Sequence, residues 1–456
     1  MNIARTQTQS RSYAIPSLKF DDQEMTSFGG LIVFQQLFDR LGLWGRLRHC
    51  CAHLAPKHFY SYSAVLRCLM VHLLLGYRKL REMDFYRHDP LVLRMVGLKQ
   101  LPSVPTMSRM LQEFDPESVA QLRAANRELV LERLTVEKFS TVTLDFDGSV
   151  QSTKRHAEGT AVGFNKEKKG ARSYYPLFCI IPQSGQAFDV LHRSGNVHDS
   201  NGAVAFVRSC VEWLRARLPN VRLEARLDSA FFSDEMIALL ESLGVEYTIS
   251  VPFERFVILK KVIEERQWWS KVPGAEGKRH FFQWQWKPES WKRKRRFLFL
   301  RQTVVVQQKE PIQLDLFRPI AQGCEFKVIV TNKKATAGRV ACFHEGRGAQ
   351  EKVYGELKSQ AQMGYIPCRR LVANQIYLLS TMFVHNLGRE LQMQAMPPLR
   401  STAMKRTAAW IFEELDTLRR TIIQRAGRLT RPQGQLTLTL PNIPALQNAI
   451  LRFLPV

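Results

Sequence analysis

Residues 141–149 read TVTLDFDGS, and this short stretch decides the fold class. Its apolar residues alternate with polar ones, which is the pattern of a strand with one buried face. Asp145 and Asp147 share the other face, and Asp147 comes directly before a Gly-Ser turn. The stretch therefore predicts a half-buried strand that delivers an aspartate at its carboxyl end.

A second strand of the same kind, VRLEARLD at residues 221–228, ends on Asp228. Between and after the two strands, the pattern predicts strands at 174–182, 186–193 and 245–253 and helices at 201–218 and 233–244. The order β-β-β-α-β-α-β is that of a mixed α/β sheet of the ribonuclease H type. In that architecture Asp147 and Asp228 end neighbouring strands, so we expect their carboxylates to lie side by side.

A third stretch, RGAQEKVYGELK at residues 347–358, reads as the opening of a helix. At 100° per residue, Arg347, Glu351 and Lys358 fall on one face of it, together with Tyr354. An ordinary salt bridge between i and i+4 positions would explain this spacing when it is taken alone. Combined with the two strand-terminal aspartates, Glu351 completes a set of three carboxylates that can hold two Mg²⁺ ions for phosphodiester chemistry.

Composition indicates what kind of phosphodiester is involved. The chain of 456 residues has a formal net charge of +25, which predicts a polyanionic partner. Its 45% hydrophobic content is ample for a large core, and its eight cysteines form no C-x-x-C pair. A zinc ribbon and a disulfide framework are therefore not indicated. The sequence shows neither a signal peptide nor a membrane span, so we expect a reduced, cytoplasmic protein with no membrane partner.

Two basic regions are candidates for phosphate contacts. The loop at residues 154–172 follows the first aspartate strand and carries Lys168, Lys169 and Arg172, although a solvated loop without DNA contact remains an alternative. Five of the eight tryptophans lie within residues 268–291, and a basic run follows them. This second region predicts either a small aromatic core or a DNA clamp in which aromatic rings stack on bases and cations hold the backbone. The clamp residues would be Trp284, Trp286, Trp291, Arg293 and Arg295.

The segment HEGRGAQEKVYGELK resembles the signature Y-x2-R-x3-E-x6-K of the DDE transposases of bacterial insertion sequences. Arg347, Glu351 and Lys358 stand at the signature positions, whereas His344 occupies the position of the tyrosine. The segments LDFDGS, SGNVHDSNGA, RLDSAFFS and VTNKKA are also similar to this family. The resemblance implies metal-dependent cleavage of DNA at the element ends, followed by strand transfer into target DNA.

Roles for individual residues follow from the resemblance and from charge. Asp147, Asp228 and Glu351 would be the catalytic residues and would hold two Mg²⁺ ions, for which Mn²⁺ could substitute. Asp147 is preferred to Asp145 because it stands at the strand end, and Asp145 and His344 are left as second-shell candidates. Arg347 and Lys358 would clamp adjacent phosphates. The partner would be double-stranded DNA, both element end and target, bound by a homodimer at the bacterial nucleoid.

Six segments are predicted along the chain. They are a disordered tail (1–15), a helical N-terminal domain that binds DNA ends (16–137), the first part of the ribonuclease H-like core (138–253), a β-rich, basic and aromatic insertion (254–345), the second part of the core with the glutamate helix (346–400), and a helical and β C-terminal appendage (401–456). Within the N-terminal domain, residues 101–114 could form the second helix of a helix-turn-helix starting at Thr106 or Ser108. An ordinary packing helix explains the same pattern.

Two other functions remain open at this point. One is a structure-specific nuclease that uses the same three carboxylates without strand transfer. The other is a DNA-binding protein that descends from a transposase and has lost catalysis. The presence of all three carboxylates at matching places argues against the second alternative.

Overall fold

The computed structural model of the protein describes residues 16–57, 59–163, 165, 168–198, 200–272, 279–303, 324–399 and 404–454. The predicted disordered tail, residues 1–15, lies outside the described residues. The first part of the chain forms a short strand and six helices: β1 (Met25–Thr26), α1 (Leu31–Arg40), α2 (Leu43–His49), α3 (Tyr62–Leu74), α4 (Pro90–Val96), α5 (Val104–Leu111) and α6 (Pro116–Glu137).

Helix α5 begins earlier than its sequence suggested. Ser103 is the N-cap and accepts a hydrogen bond from the Thr106 backbone N–H at 3.3 Å. The predicted start at Thr106 or Ser108 is therefore wrong. The reason is Pro105, which reads as a helix breaker but is tolerated in the first helical turn, where its missing N–H would have no partner in any case.

The region in which apolar and polar residues alternate forms a series of strands with two helices between them. These elements are β2 (Thr141–Gly148), β3 (Gln151–Thr153), β4 (Ala161–Val162), β5 (Arg172–Tyr174), β6 (Leu177–Ile181), β7 (Gln186–Leu191), α7 (Ala203–Arg217), β8 (Arg222–Leu227), α8 (Asp234–Ser242) and β9 (Glu246–Ser250). Each predicted strand and helix of this region is present, with its ends shifted by a few residues. Strands β3, β5 and β4 form a small sheet of their own.

The remainder of the chain completes the molecule. It contains α9 (Val257–Glu265), β10 (Ser270–Lys271), β11 (Arg279–Trp286), β12 (Arg295–Thr303), β13 (Cys324–Thr331), α10 (Ala337–Glu345), α11 (Ala349–Ser359), α12 (Leu371–Ala395), α13 (Leu415–Leu418), β14 (Gly427–Thr430), β15 (Thr437–Thr439) and α14 (Pro444–Leu451). Strand β14 pairs with β1, so the C-terminal segment closes back onto the N-terminal one.

The central sheet has nine strands in the order β10-β11-β12-β13-β9-β8-β2-β6-β7. Strand β2 runs parallel to β8 and antiparallel to β6, and β8 runs parallel to β9. The architecture is thus mixed α/β with a large mixed sheet and many helices. The segment predicted as a β-rich insertion is indeed rich in strands. It does not form a separate sheet, however, because β13 pairs antiparallel with β9 and continues the central one.

Two large apolar clusters hold these elements together. One joins the N-terminal helices to α12, most of whose residues are buried. The other lies between the sheet and helices α7, α8 and α9. Every helix that the structure describes is too short or too polar to cross a membrane.

Candidate active site

The carboxyl ends of β2 and β8 lie next to each other in the centre of the sheet. Their parallel register pairs Asp145 with Arg226. Asp147 lies two residues after Asp145, and Asp228 lies two residues after Arg226. The two aspartates therefore stand at adjacent ends of neighbouring strands, as predicted. Both side chains belong to half-buried residues at the rim of the sheet.

Asp147 is surrounded by hydrogen-bond donors. Its Oδ1 accepts the backbone N–H of Gly148 at 2.9 Å, and its Oδ2 accepts Nε2 of Gln350 at 2.7 Å. Nη1 of Arg347 lies 3.5 Å from the same Oδ2. The Tyr354 hydroxyl donates to the backbone oxygen of Asp147 at 3.1 Å. Burial and then the charge of Asp147 raise the pKa of Tyr354 well above its ordinary value, so the phenol keeps the proton that it donates.

Asp228 caps the turn that follows its strand. Its Oδ1 accepts the backbone N–H of Ala230 at 2.9 Å, at the start of the 3₁₀ turn Ser229–Phe231. A carboxylate in this position is held by a local backbone donor. The geometry fixes the direction of the Asp228 side chain without burying it.

Glu351 lies in the first turn of α11 and is exposed. Arg347 belongs to a 3₁₀ turn, Gly346–Gly348, and α11 begins only at Ala349. Gln350 and Tyr354 contact Asp147 from α11, and Arg347 approaches it from the preceding turn. Of the residues predicted to share one face, Arg347 and Tyr354 thus approach Asp147.

Across the described residues, no three His, Cys, Asp or Glu side chains lie close enough together to hold a metal ion. The proposed ligands are nevertheless of the chemical type that Mg²⁺ binds, because their carboxylates offer the oxygen atoms that this ion prefers. Two of the acids end adjacent strands, and the third lies one residue beyond Gln350, which contacts Asp147. In addition, Oε1 of Gln350 is buried without a hydrogen-bond partner, which leaves a further oxygen acceptor beside Asp147.

A buried ion pair between Asp145 and Arg226 joins the two strands that end at Asp147 and Asp228. Arg226 donates to both oxygens of Asp145, at 2.6 and 2.7 Å, and neither side chain is exposed. The same guanidinium donates to the backbone oxygens of Phe343 and Lys405, at 2.9 and 2.7 Å. Burial raises the pKa of Asp145, which the charge of Arg226 opposes. Asp145 thus ties β2 to β8 and to the end of α10, and does not itself face the site.

His344, which occupies the signature's tyrosine position, is also a packing residue. Its ring nitrogens lie 2.8 Å from Ser250 Oγ and 3.0 Å from Thr248 Oγ1, both on β9. Burial lowers its pKa well below the ordinary value, so the ring is neutral. The side chain fixes α10 against the sheet through these two contacts with β9.

The predicted phosphate contacts divide into exposed and internal residues. Lys168, Lys169 and Arg293 are exposed, and Lys358 is half-buried. By contrast, Arg172 donates through Nε to Thr160 Oγ1 at 3.1 Å and through Nη2 to the Thr160 backbone oxygen. Its guanidinium is committed to holding its own loop together.

The clamp predicted from the tryptophan cluster is corrected by the structure. Trp286 and Trp291 are each 8% exposed and belong to the core between the sheet and its helices. Trp284 is half-buried and stacks on Trp286, with ring centroids 6.1 Å apart. Arg295 is buried too, with Nε 2.7 Å from Oε1 of Glu241. The alternative reading as an aromatic core is the one that the packing favours, because stacking on DNA would require these rings to leave an apolar environment.

Sequence reasoning missed Gln350 and Arg226. Gln350 is uncharged and stands beside the more conspicuous Glu351, so only the 3₁₀ turn reveals which of the two faces Asp147. Arg226 had a usable signal, since it precedes Asp228 by two residues just as Asp145 precedes Asp147. Two parallel strands with matching ends place these two charges opposite each other.

A family described as transposase DDE domain group 1 matches residues 15–455 of the chain. No curated protein matches the sequence. Among solved structures, a piggyBac transposase synaptic complex with hairpin DNA is similar at 11% identity and a TM-score of 0.41, over 94% of this chain and 85% of that chain. A Mos1 mariner paired end complex with Mn is similar at 12% identity and a TM-score of 0.17, over 43% of this chain and 60% of that chain. These structural similarities are low, so the family match carries the assignment.

Proposed function

Because the chain belongs to the transposase DDE domain family, it is a DNA transposase, and we propose that Asp147, Asp228 and Glu351 are its catalytic carboxylates. The observation that carries this proposal is the parallel pairing of β2 with β8, which brings Asp147 and Asp228 to adjacent strand ends. The strand order β7-β6-β2-β8-β9 and its directions support a ribonuclease H-like core. Helix α11 carries Glu351 directly after Gln350, whose side chain contacts Asp147.

Two Mg²⁺ ions, or Mn²⁺ in their place, would be held by these three residues. Bound there, such ions supply Lewis acidity to the attacking water or 3′-hydroxyl and to the leaving oxygen. Glu351 is exposed, and its carboxylate would complete the set of three acids that holds the ions. Gln350 and the Gly148 N–H orient the Asp147 carboxylate, and the Tyr354 hydroxyl holds the backbone of the same residue.

The substrate in this proposal is double-stranded DNA, first at the ends of an insertion sequence and then at the target. A formal net charge of +25 supports a polyanionic partner. Arg347 neutralises charge at the scissile phosphate from its place beside Asp147, and Lys358 binds a neighbouring phosphate from the far end of α11. Pairing of two element ends calls for two copies of the chain, which would act at the nucleoid in the bacterial cytoplasm.

The experiment that tests the proposal follows labelled DNA from cleavage to joining. Duplexes made from the DNA that flanks the reading frame are incubated with the protein and Mg²⁺, and the products are tested for a 3′-hydroxyl joined to a second duplex. We expect cutting and joining in the wild type. Cutting without joining would identify a nuclease and overturn the assignment of strand transfer.

Variants then test the three carboxylates. Asp228→Asn and Glu351→Gln should abolish cleavage while leaving DNA affinity largely intact, because the acids hold cations and not phosphates. Glu265→Gln is the matched control, since Glu265 is an exposed acid on α9 away from the strand ends. Full cleavage by Glu351→Gln would remove this residue from the site and leave the two aspartates to be completed by another ligand.

A further inference from the structure

A basic cleft lies between the segment after α3 and the loop that follows β3. Its volume is about 550 Å³, and its cationic lining residues are Arg78, Lys79, Arg81, Lys154, Arg155 and Lys168. Among the described residues that line it, none is acidic. The cations come from two parts of the chain that are far apart in sequence: the segment after α3 in the N-terminal region, and the loop that follows β3 in the core. From here on this feature is called the interdomain cleft.

The electrostatics of the interdomain cleft favour an anionic occupant. Like charges gathered in one concave surface repel one another and weaken the folded state, and low-dielectric walls strengthen their field. Glu82, which follows Arg81 in the chain, uses its Oε2 to accept the backbone N–H groups of Arg78 and Lys79, both at 2.8 Å. Arg78 also lies over the ring of Tyr365, with its guanidinium carbon 5.0 Å from the ring centroid. That contact leaves the edges of the guanidinium for a phosphate.

The basic surface continues beyond the interdomain cleft. Arg155 also lines a second cavity of about 520 Å³, together with His156 and Arg369. A single small anion would not need a basic surface that lines two cavities, whereas a nucleic-acid strand presents a row of phosphates. The shape therefore favours a polymer over an isolated phosphate or nucleotide.

The covalent chain limits how far the interdomain cleft can lie from the catalytic aspartate. Ser152, which lines the cleft, is five residues after Asp147. Five fully extended residues span at most about 18 Å. Helix α11 gives a second connection, because Tyr354 contacts Asp147 and the chain reaches the cleft at Gly364 and Tyr365. Since successive nucleotides rise by about 3.4 Å along each strand, the edge of the cleft at Ser152 lies at most about five steps from Asp147.

We propose that the interdomain cleft binds the DNA backbone within about five nucleotides of the cleaved phosphate, so that the N-terminal region and the core hold one strand jointly. This inference rests on the proposed function and adds to it a defined set of phosphate contacts. The interdomain cleft positions the DNA and takes no part in bond breaking. Because its two walls come from different parts of the chain, DNA would also bridge them.

The test combines protein variants with DNA in which one phosphate at a time is neutral. After the cut has been mapped on the flanking DNA, single methylphosphonates are placed at successive positions on both sides of it. Wild-type binding should weaken at one or two positions within about five steps of the cut. In Arg81→Gln and Lys154→Gln the same methylphosphonates should cause no further loss. Each variant should also lower the magnitude of the salt slope of log K by about 0.9.

Matched controls make the outcome decisive. Lys260→Gln removes an exposed lysine of α9 and should leave the salt slope and the methylphosphonate pattern unchanged. Thermal unfolding midpoints close to the wild-type value establish that Arg81→Gln and Lys154→Gln are folded, as expected for exposed side chains. If folded variants bind every methylphosphonate duplex as the wild type does, the interdomain cleft does not hold DNA. That result would leave the proposed function intact, whereas a wild type that neither binds nor cuts the DNA would overturn both.

Discussion

Asp145 and Asp147 stand two residues apart on the same face of β2, and their surroundings differ in a way that separates folding from chemistry. Asp145 is fully buried, and Arg226 binds both of its oxygens. Asp147 keeps 26% of its side chain exposed and accepts hydrogen bonds mainly from neutral donors. A buried carboxylate needs an internal cation to offset its desolvation, whereas a carboxylate at the rim can accept an external one.

Helix α11 shows the same contrast in its two glutamates. Glu356 is 4% exposed, binds Arg389 and accepts the Leu415 backbone N–H at 3.1 Å. Glu351 is exposed at the other end of the helix. In both elements the acid farther from the strand ends is matched by an arginine of the chain, and the acid near the strand ends is left at the surface. The acids near the strand ends are the ones that we propose for catalysis.

The largest effect should come from exchanging the two aspartates of β2 for asparagine. Asp147→Asn should reduce cleavage to background, since an amide cannot replace the charge of a metal-binding carboxylate, while the unfolding midpoint stays near that of the wild type. Cleavage of labelled ends and thermal unfolding are measured on the same preparation. An active Asp147→Asn would assign the catalytic role elsewhere on β2.

Asp145→Asn should lower the free energy of unfolding. It leaves Arg226 buried without its counter-ion, and breaking a buried pair in this way costs about 3–5 kcal/mol. Denaturant unfolding measures the loss directly. Replacing both partners, as in Asp145→Asn with Arg226→Met, should recover part of the lost stability. If Asp145→Asn alone is as stable as the wild type, the structural role given to Asp145 is contradicted.

Gln350→Ala should have an intermediate effect on cleavage. Gln350 orients Asp147 without carrying charge, and losing an outer-shell partner of a metal ligand typically costs about 10–100-fold in activity or metal affinity. Titration of cleavage with Mg²⁺ should show the loss mainly as a higher metal requirement. Glu351→Gln is the contrasting variant, because added Mg²⁺ should not restore its cleavage activity.

The strand order and the positions of Asp147 and Asp228 could be predicted because they depend on local alternation and on where each apolar run stops. The attachment of β13 to β9 could not, since strand pairing between distant segments leaves no local pattern. Trp286 and Arg295 illustrate a second limit. An aromatic and basic cluster has the same sequence in a core as on a DNA-binding surface, and only the packing of helices α8 and α9 decides between the two.

The surroundings of Asp147 could be predicted only in part. Ala349 starts α11 two residues after the helix start that periodicity indicates, so the geometry of Arg347, Gln350 and Glu351 depends on a 3₁₀ turn. That turn arises from close packing of Gly346 against Arg226 and the Lys405 backbone, which are remote in sequence. Periodicity alone contains no information about such a contact.

The stability of the buried regions should also respond to pH, and the effect of each buried histidine should be smaller than that of Asp145→Asn. Burial lowers the pKa of His72 and of His385 to about 4, and that of His344 well below its ordinary value. These rings stay neutral in the folded protein while the unfolded chain takes up protons below pH about 6.5. Their contribution is therefore complete above that pH and declines toward pH 4, by about 1.4 kcal/mol per unit for each ring. Urea unfolding between pH 7 and 5 measures the slope, and His72→Gln should reduce it.

The smallest effect should come from the two cations of the signature. Arg347→Ala and Lys358→Ala should each lower the magnitude of the salt slope for DNA binding by about 0.9, with Mg²⁺ affinity nearly unchanged. Arg347→Ala should also slow cleavage more, because only Arg347 lies beside Asp147. If both variants bind and cut DNA as the wild type does, the two residues are merely surface charges.

The turn at Gly346 has a consequence for any library of random variants. A Cβ atom at this position would lie 2.0 Å from the Lys405 backbone oxygen and 2.1 Å from Nη1 of Arg226, so selection for soluble protein should return glycine codons there almost exclusively. Gly355 has no atom within 4 Å of such a Cβ. Alanine codons should be enriched at Gly355, since alanine favours a helix by about 1 kcal/mol over glycine. Codon counts at these two positions therefore report the packing behind the active site without any assay on DNA.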